Sequence, residues 1–256
     1  MTQQPERYNA VVALNVDVQN DFCPGGSLAV PGGDAVVPKL NALNRWVRGT
    51  SGLVVFTRDW HPEETTHFDK WPRHCVQYRA GAAFHDDLEL IDPTEYFDGI
   101  GRDLVVSKGM GKDEDGYSGM EATATIAAYD GRSFTGTAKG SMDEILFRYM
   151  IGNYPGAYNH KTREQRPVYN SMAIIIGGLA TEYCDRATAL DAVDFARDNG
   201  ERFGRKIGVF AVTDAMRGVD LQPGDSARAL QEMEAAGAVL TTTEAIVNGE
   251  VIEVAR

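Results

Sequence analysis

Cysteine, basic residues and long apolar runs are all scarce in this 256-residue sequence. Its three cysteines are an odd count in a long chain, which argues against a disulfide scaffold and favours a reducing compartment. No apolar stretch is long enough to cross a bilayer, and the polar residues 1–8 do not resemble a secretory signal. We therefore expect a cytoplasmic protein without a membrane span.

Basic residues are fewer than acidic ones: the sequence has 25 Lys and Arg and 37 Asp and Glu, which gives a formal net charge of −12. Nucleic acids and anionic membranes are bound by basic surfaces, so we expect neither as a partner. The hydrophobic share of 43% is ordinary for a globular protein and is sufficient for a sizeable core. No repeat or linker divides the sequence, which predicts a single domain over residues 1–256.

Short runs rich in Val and Ile alternate with helical patterns. Consecutive apolar residues are typical of strands covered on both faces, and the alternation predicts an α/β fold. We expect three α/β/α layers around a mostly parallel, Rossmann-like central sheet. The predicted strands are Ala10–Val18, Leu53–Thr57, Leu104–Ser107, Met172–Gly177 and Ile207–Val212, with Ala238–Thr242 and Val251–Val254 as edge strands, and the predicted helices are Asp34–Arg48, Ser141–Ile151, Thr181–Asn199 and Gly224–Ala236.

Reactive side chains follow four of the predicted strands. Asp17 closes the first strand, and Asp59 and His61 follow the second. Lys108 follows the third strand, and Cys184 comes just after the fourth. Ligands of open parallel sheets bind beyond the carboxyl ends of the strands, so we expect these side chains at one rim of the sheet. Their coincidence at four strand ends favours an active site.

Cys184 is the candidate nucleophile. We expect Thr181 to cap the following helix, which places Cys184 at about the third helical position, where the helix dipole favours a thiolate. The alternative is a buried structural thiol. Asp17 is a candidate general base or a loop cap, and Lys108 either holds Asp17 ionised or is an ordinary surface lysine.

Histidine is also scarce, and four of the five are clustered in one region of the chain. Asp59 and His61 are two positions apart on an extended segment, so their side chains point the same way. His67 and His74 follow in the same loop. Carboxylate and imidazole ligands suit Zn²⁺, Fe²⁺ or Mn²⁺, and the alternative is a set of surface histidines.

Two other cysteines and two aromatic residues lie near these loops. Cys75 is either a further ligand or an inward-packing side chain, and Cys23 precedes a Pro-Gly-Gly turn signal and is interpreted as structural. Phe22 and Trp71 are either core residues or, if both line a pocket, the walls of a flat slot for a planar ring.

Four motifs, in the same order, resemble the nicotinamidase family of the isochorismatase-like cysteine hydrolases. VDVQNDFCPGGSLAVPGG is similar to the family's opening motif, and RDWHPEETTHF with WPRHCV to its metal loop. GYSGM is similar to a pocket segment, and GGLATEYC to the nucleophile segment. The resemblance is dense over residues 10–120 and 172–215 and weak elsewhere, and it implies the isochorismatase-like fold.

The resemblance also implies a role for each matched residue. Asp17, Lys108 and Cys184 would form the catalytic triad. The Leu179–Ala180 peptide would be cis, and the N–H groups of Ala180 and Cys184 would form the oxyanion hole. The other implied roles are the metal ligands Asp59, His61 and His74, with His67 as a fourth whose participation varies among relatives, and the ring-pocket residues Phe22, Trp71, Tyr117 and Tyr183.

The implied activity is hydrolysis of nicotinamide to nicotinate and ammonia through a cysteine thioester, a step in NAD salvage. Pyrazinamide, of similar shape, would be a second substrate. One divalent ion, zinc first and iron or manganese as alternatives, would hold the ring nitrogen rather than activate the attacking water. Three other interpretations stay open: another amidase of the superfamily acting on a different small carboxamide or carbamoyl compound, a metallohydrolase using metal-bound water, and a metal-binding interaction module.

One segment departs from the family pattern. A long polar connection, Asn153–Asn170, joins the second predicted helix to the fourth strand, where relatives pass quickly from helix to strand. Connections of this length usually form lids, interfaces or mobile segments. We therefore interpret residues 152–170 as an atypical insertion that covers the pocket or contributes to a homo-oligomer.

Overall fold

The computed structural model describes residues 4–91, 103–129, 134–150, 158–159, 164–165 and 168–255. Among these residues, no helix combines the length and the apolar character needed to span a membrane. The helices are α1 (Val37–Gly49), α2 (Met142–Met150), α3 (Arg186–Phe203), α4 (Asp225–Ala236) and α5 (Thr243–Val247). The strands are β1 (Glu6–Tyr8), β2 (Ala10–Val16), β3 (Leu53–Asp59), β4 (Leu104–Lys108), β5 (Thr123–Tyr129), β6 (Phe134–Ser141), β7 (Tyr158–Asn159), β8 (Glu164–Gln165), β9 (Ser171–Leu179), β10 (Lys206–Arg217), β11 (Val239–Thr241) and β12 (Ile252–Val254).

An eight-stranded sheet in the order β11-β10-β9-β2-β3-β4-β5-β6 forms the centre of the structure. The strands from β11 to β4 are all parallel, and β5 and β6 add an antiparallel edge. The predicted mostly parallel sheet is therefore confirmed. The carboxyl ends of the six strands from β11 to β4 open on one rim, because parallel strands end on the same side.

The pleat of the central strands divides the core into two halves. Along β2, Val11 and Ala13 face a cluster that includes side chains of α1 and α5. The alternate residues Val12 and Leu14 face the other cluster, which includes side chains of α2, α3 and α4. Each fully buried aliphatic side chain contributes about 1.5–3 kcal/mol of transfer free energy, so both helical layers are held on the sheet by apolar burial. The three-layer α/β/α arrangement is confirmed.

The structure corrects several predicted elements. The predicted edge strand Val251–Val254 forms as β12, but it pairs with β1 in a separate two-stranded sheet. The hairpin of β5 and β6 was not predicted, because its alanine, glycine and lysine residues have low strand propensity. Most of the segment 152–170 lies outside the described residues, which here are only the short antiparallel pair β7–β8 and residues 168–170. Its role and the single-domain organisation stay predictions.

A pair of buried amides joins β2 to α1. Asn15 Nδ2 donates to Asn44 Oδ1 at 3.0 Å, and Asn44 Nδ2 donates back to Asn15 Oδ1 at 2.9 Å. Asn15 also donates to the carbonyl of Val55 on β3 at 3.1 Å. Both side chains are buried, so each amide depends on the other for its hydrogen bonds.

We predict that Asn44→Ala lowers the free energy of unfolding by about 1–3 kcal/mol, because it leaves a buried amide without its partner. Urea denaturation of wild type and variant measures this loss. The control is Asn248→Ala, which removes an exposed asparagine that bonds Glu250 at the surface. Equal midpoints for Asn44→Ala and the control would show that the buried pair contributes nothing.

Candidate active site

Asp17 is held at the carboxyl end of β2 by its neighbour strand β3. Its backbone is in the left-handed region at φ 50, directly after the strand. The Asp17 N–H donates to the carbonyl of Thr57 at 3.3 Å, and the Thr57 hydroxyl donates to Asp17 Oδ1 at 2.6 Å. The carboxylate is completely buried, with its second oxygen turned towards β4.

The ammonium group of Lys108, at the end of β4, joins the other reactive side chains. Its Nζ lies 2.7 Å from Asp17 Oδ2, forms an ion pair with Asp59, and lies 3.4 Å from Cys184 Sγ. It also donates to the carbonyl of Gly116 at 2.6 Å. Burial alone would lower the pKa of Lys108, but Asp17 and Asp59 raise it well above its ordinary value. The two carboxylates therefore favour the charged ammonium form of Lys108.

Cys184 lies on a π-helical turn, Thr181–Asp185, between β9 and α3. Ala180, not Thr181, occupies the cap position, and no side chain caps the turn, so the predicted Thr181 cap is wrong. The preceding Leu179–Ala180 peptide is cis, as the family resemblance implied. The turn places the sulfur beside Lys108 on the rim.

The predicted lowering of the Cys184 pKa is also wrong. Burial raises the pKa of this thiol well above its ordinary value, and Lys108 opposes this without reversing it. The resting group is therefore a thiol that needs a base. Burial likewise raises the pKa of Asp17, against the charge of Lys108. An oxygen of Asp17 and one of Asp59 lie within 4.8 Å of the sulfur and of each other, so two carboxylates lie close to this thiol.

Three buried imidazoles form a second group beside Asp59. One ring nitrogen from each of His61, His67 and His74 lies within 4.8 Å of the others. Asp59 Oδ2 is 3.6 Å from His61 Nε2 and 3.7 Å from His74 Nε2. Because the other Asp59 oxygen bonds Lys108, this carboxylate belongs to both groups.

Hydrogen bonds orient the imidazoles towards a common centre. Nδ1 of His61 bonds the carbonyl of Gly109 at 3.0 Å, and Nδ1 of His74 bonds that of Pro72 at 2.7 Å. A carbonyl only accepts, so Nδ1 carries the proton and Nε2 keeps the lone pair in each ring. His61 Nε2 is buried without a hydrogen-bond partner among the described residues. This donor set, three imidazoles and a carboxylate, fits a divalent metal ion.

A cavity of about 90 Å³ opens in front of the sulfur. Trp71 Nε1 donates to the Tyr117 hydroxyl at 3.0 Å, and the Trp71 ring is nearly perpendicular to that of Tyr183. The aromatic walls suit a small planar ligand. The cavity lining includes Phe22, Trp71, Tyr117, Tyr183, Ala180, Cys184, Asp59, His67 and His74, so every residue assigned by resemblance to the ring pocket lies there.

The remaining cysteines belong to the core. Cys75 and Cys23 are both buried in the cluster that packs against α1. Cys75 is not part of the group formed by His61, His67 and His74, and burial raises the pKa of its thiol well above its ordinary value, so the inward-packing interpretation is favoured.

Sequence reasoning missed the side chains that support Asp59 and His67. Gln19 Nε2 donates to the Asp59 carbonyl at 2.8 Å, and Gln19 Oε1 accepts from the Asp59 N–H at 2.8 Å. Asp115 accepts from His67 Nδ1 at 2.9 Å. A buried polar residue in the apolar opening motif was a signal for Gln19, whereas nothing in the polar loop distinguished Asp115 from its acidic neighbours.

Comparison with known proteins agrees with this geometry. Residues 11–98 match the family model described as the isochorismatase domain. The chain is 34% identical to the nicotinamidase of Escherichia coli strain K12, with 90% of this chain and 93% of that protein covered. The chain belongs to the isochorismatase family.

Other members of the isochorismatase family match over similar lengths. The nicotinamidase of Acinetobacter baylyi is 31% identical, with 90% of this chain and 91% of that protein covered. The Pyrococcus horikoshii pyrazinamidase, whose crystal structure is in complex with zinc, is 33% identical in sequence. The match covers 91% of this chain and 98% of that chain, and the two structures superpose with a TM-score of 0.61. The α/β fold is thus the isochorismatase-like fold, and the chain is an amidohydrolase of this family.

Asp185, the residue after the candidate nucleophile, is a buried carboxyl group with no obvious role. Neither of its side-chain oxygens has a hydrogen-bond partner among the described residues. Burial raises the pKa of Asp185 well above its ordinary value, Asp17 and Glu182 add to the shift, and Lys108 opposes it. The folded protein therefore holds a proton on Asp185 at pH values where the unfolded chain has released it.

We predict that the difference in stability between Asp185→Asn and wild type shifts in favour of the variant as the pH rises. The unfolded carboxyl ionises near pH 4, so the cost of keeping Asp185 protonated starts there and grows until the pH reaches its raised folded pKa. Asparagine does not ionise and escapes this cost. Melting temperatures from pH 4 to pH 8 measure the difference, with the exposed Asp113→Asn as control. Parallel curves for wild type and Asp185→Asn would refute the prediction.

Proposed function

We propose that the chain is a nicotinamidase, which hydrolyses nicotinamide to nicotinate and ammonia. The observation that carries this proposal is one small cavity lined by Cys184, Asp59, His67 and His74. The ion pair of Asp17 and Lys108 lies directly behind the sulfur, with Lys108 Nζ 3.4 Å from Cys184 Sγ. The two relatives named nicotinamidase, each matched over about nine-tenths of its length, support the choice of substrate.

The first step is attack by Cys184 Sγ on the carboxamide carbon. Asp17 accepts the thiol proton, and because burial raises the pKa of Asp17, its carboxylate is a stronger base than an exposed one. Lys108 keeps its own proton and stabilises the negative charge during the transfer. The Asp17 proton then passes to the leaving nitrogen, so ammonia departs and a thioester on Cys184 remains.

Hydrolysis of the thioester reverses these roles. Asp17, ionised again, takes one proton from a water molecule that attacks the thioester carbon. This proton passes to the Cys184 sulfur as the C–S bond breaks, and the product leaves as nicotinic acid, which ionises to nicotinate in solution. In both steps the N–H groups of Ala180 and Cys184, at the turn after β9, would donate to the oxyanion. One such donor typically contributes about 3–4 kcal/mol to the transition state.

Asp59, His61, His67 and His74 would hold the metal ion. Zinc is the proposed metal, supported by the zinc complex of the related pyrazinamidase. When bound, the ion supplies a Lewis-acid contact for the ring nitrogen of the substrate. The aromatic walls at Trp71 and Tyr117 would hold the ring flat so that its carboxamide faces the sulfur.

The wider assignments are also proposals. A role in NAD salvage follows from the reaction, and pyrazinamide fits because it is also a planar ring carboxamide with a ring nitrogen. A cytoplasmic location agrees with the three free, buried cysteines. A homo-oligomer stays a prediction.

We predict that Cys184→Ala abolishes ammonia release from nicotinamide, with a loss of about three orders of magnitude or more, because no other group forms the acyl intermediate. Ammonia release in a coupled assay measures the rate. Cys23→Ala, which removes a buried core thiol that is not part of the cavity lining, is the matched control and should stay active. Substantial turnover by Cys184→Ala would favour direct attack by metal-bound water, and a wild type inactive on all aromatic carboxamides would favour the interaction module.

We predict that removing the metal lowers kcat/KM for nicotinamide much more than for benzamide. Benzamide has the same ring size but no ring nitrogen, so it cannot use the Lewis-acid contact. Dialysis against a chelator followed by kinetics with both substrates tests this, and added Zn²⁺ should restore the nicotinamide rate. An equal loss with both substrates would contradict a template role for the metal.

A further inference from the structure

His67 differs from the other two imidazoles in the partner of its Nδ1 atom. His61 and His74 donate to neutral backbone carbonyls, whereas His67 Nδ1 lies 2.9 Å from Asp115 Oδ1. An ionised carboxylate accepts and cannot donate, so the proton is on His67 Nδ1 and the lone pair is on Nε2. A carboxylate partner also makes the imidazole a more basic ligand than a carbonyl partner does.

The Asp115 carboxylate is fixed from its other side. Lys70 Nζ lies 2.7 Å from Asp115 Oδ2, so the two oxygens are divided between the imidazole and the ammonium. Lys70 directly follows the short helical turn Thr66–Asp69 that carries His67, three residues further along the chain. The carboxylate therefore bridges a side chain of the turn and the residue that ends it, and it cannot reorient without breaking one of the bonds.

Backbone contacts hold the same two loops together. The Thr66 N–H and the Thr65 hydroxyl both donate to the carbonyl of Lys112, at 3.0 and 2.7 Å. The Thr65 hydroxyl also accepts from the His67 N–H at 3.2 Å. The loop after β4 thus contacts the backbone of the turn that carries His67 as well as the His67 side chain.

The position of the ring is consistent with metal binding. The His67 side chain is almost completely buried, and its ring stacks on that of His61 with centroids 4.4 Å apart and planes 18° apart. Nδ1 is occupied by Asp115, so Nε2 is the nitrogen available for the group formed with His61 and His74. A ring that was free to turn could present either nitrogen.

We propose that Asp115 is a positioning residue that makes His67 a ligand of the metal ion in this chain. The metal then has four protein ligands, Asp59, His61, His67 and His74. This inference rests on the proposed metal site of the nicotinamidase, but it concerns metal affinity and ring orientation rather than turnover.

The test is the zinc affinity of the metal-free protein, measured by competition with a chromophoric chelator. Loss of an outer partner of a metal-bound histidine typically costs about 10–100-fold in affinity, so Asp115→Ala should bind zinc more weakly by this factor. Asp115→Asn keeps an acceptor oxygen without the charge and should fall between Asp115→Ala and wild type. The matched control is Asp113→Ala, which removes an exposed carboxylate from the same loop and should bind like wild type.

A second readout separates orientation from general damage to the loop. Long-range ¹H–¹⁵N spectra of the metal-free protein report the tautomer of each imidazole, and we expect a single Nδ1–H form for His67 in wild type and in Asp115→Asn. In Asp115→Ala the His67 signals should show a mixture of tautomers, while those of His61 and His74 stay unchanged.

Several outcomes would overturn the inference. They are zinc binding by Asp115→Ala within about twofold of wild type, an equal loss in Asp113→Ala, an unchanged His67 tautomer in Asp115→Ala, and absence of zinc binding by the wild type. The last result would also remove the proposed metal template. The wild type and the Asp115 variants could instead bind zinc in the expected order of affinity while the wild type releases no ammonia from nicotinamide. That result would refute the proposed function and leave the role of Asp115 standing.

Discussion

The buried ammonium of Lys108 is the constraint on which the rest of the site depends. An unpaired ion in a protein interior is prohibitively costly, and two carboxylates with no counter-ion would repel each other. Lys108 contacts both Asp17 and Asp59, so its own charge is paired and the repulsion between the two carboxylates is offset. With two carboxylates and one ammonium, this group retains one excess negative charge, which a divalent cation beside Asp59 would more than balance. The triad and the imidazole group are therefore electrostatically one unit.

The order of the strands explains why this unit can form. Neighbours β9, β2, β3 and β4 end at one rim and deliver, in that sequence, the turn of Cys184, then Asp17, Asp59 and Lys108. Asp59 and Lys108 are register partners on adjacent parallel strands, so their ion pair follows directly from the sheet pairing. The loops add the imidazoles and the aromatic walls, but the charged centre is positioned by strands, whose hydrogen bonds hold it rigidly.

The features that the sequence predicted correctly depend only on residue type and local pattern. Buried parallel strands are visible as runs of Val and Ile, and the reactive residues at their ends are recognisable by type. The failures depend on surroundings that a local pattern does not contain. The pKa of Cys184 is governed by the depth of its burial rather than by the turn on which it lies, and that depth is set by packing from several elements. The strands of the hairpin β5–β6 pair mainly with each other, and a single residue pair joins β5 to β4, so this hairpin depends on contacts that a local pattern does not contain.

The support of the imidazoles illustrates the same limit. Asp115 is one of three acidic residues within three positions of its loop, and only the folded arrangement shows that it alone meets His67 and Lys70. Gln19 binds both backbone groups of Asp59, a contact across 40 positions of sequence that no spacing rule would identify.

The carbonyl groups of Gly109 and Gly116, which bond His61 and Lys108, have a consequence for variation in this chain. A Cβ atom on Gly109 would lie 2.5 Å from the His61 ring, and one on Gly116 would lie 2.3 Å from the backbone nitrogen of Gly109. Both residues also have positive φ values, where side chains are strained. The residues least open to substitution therefore include two without any side chain, and a survey of inactivating changes would identify them alongside the nucleophile, although they take no part in the chemistry.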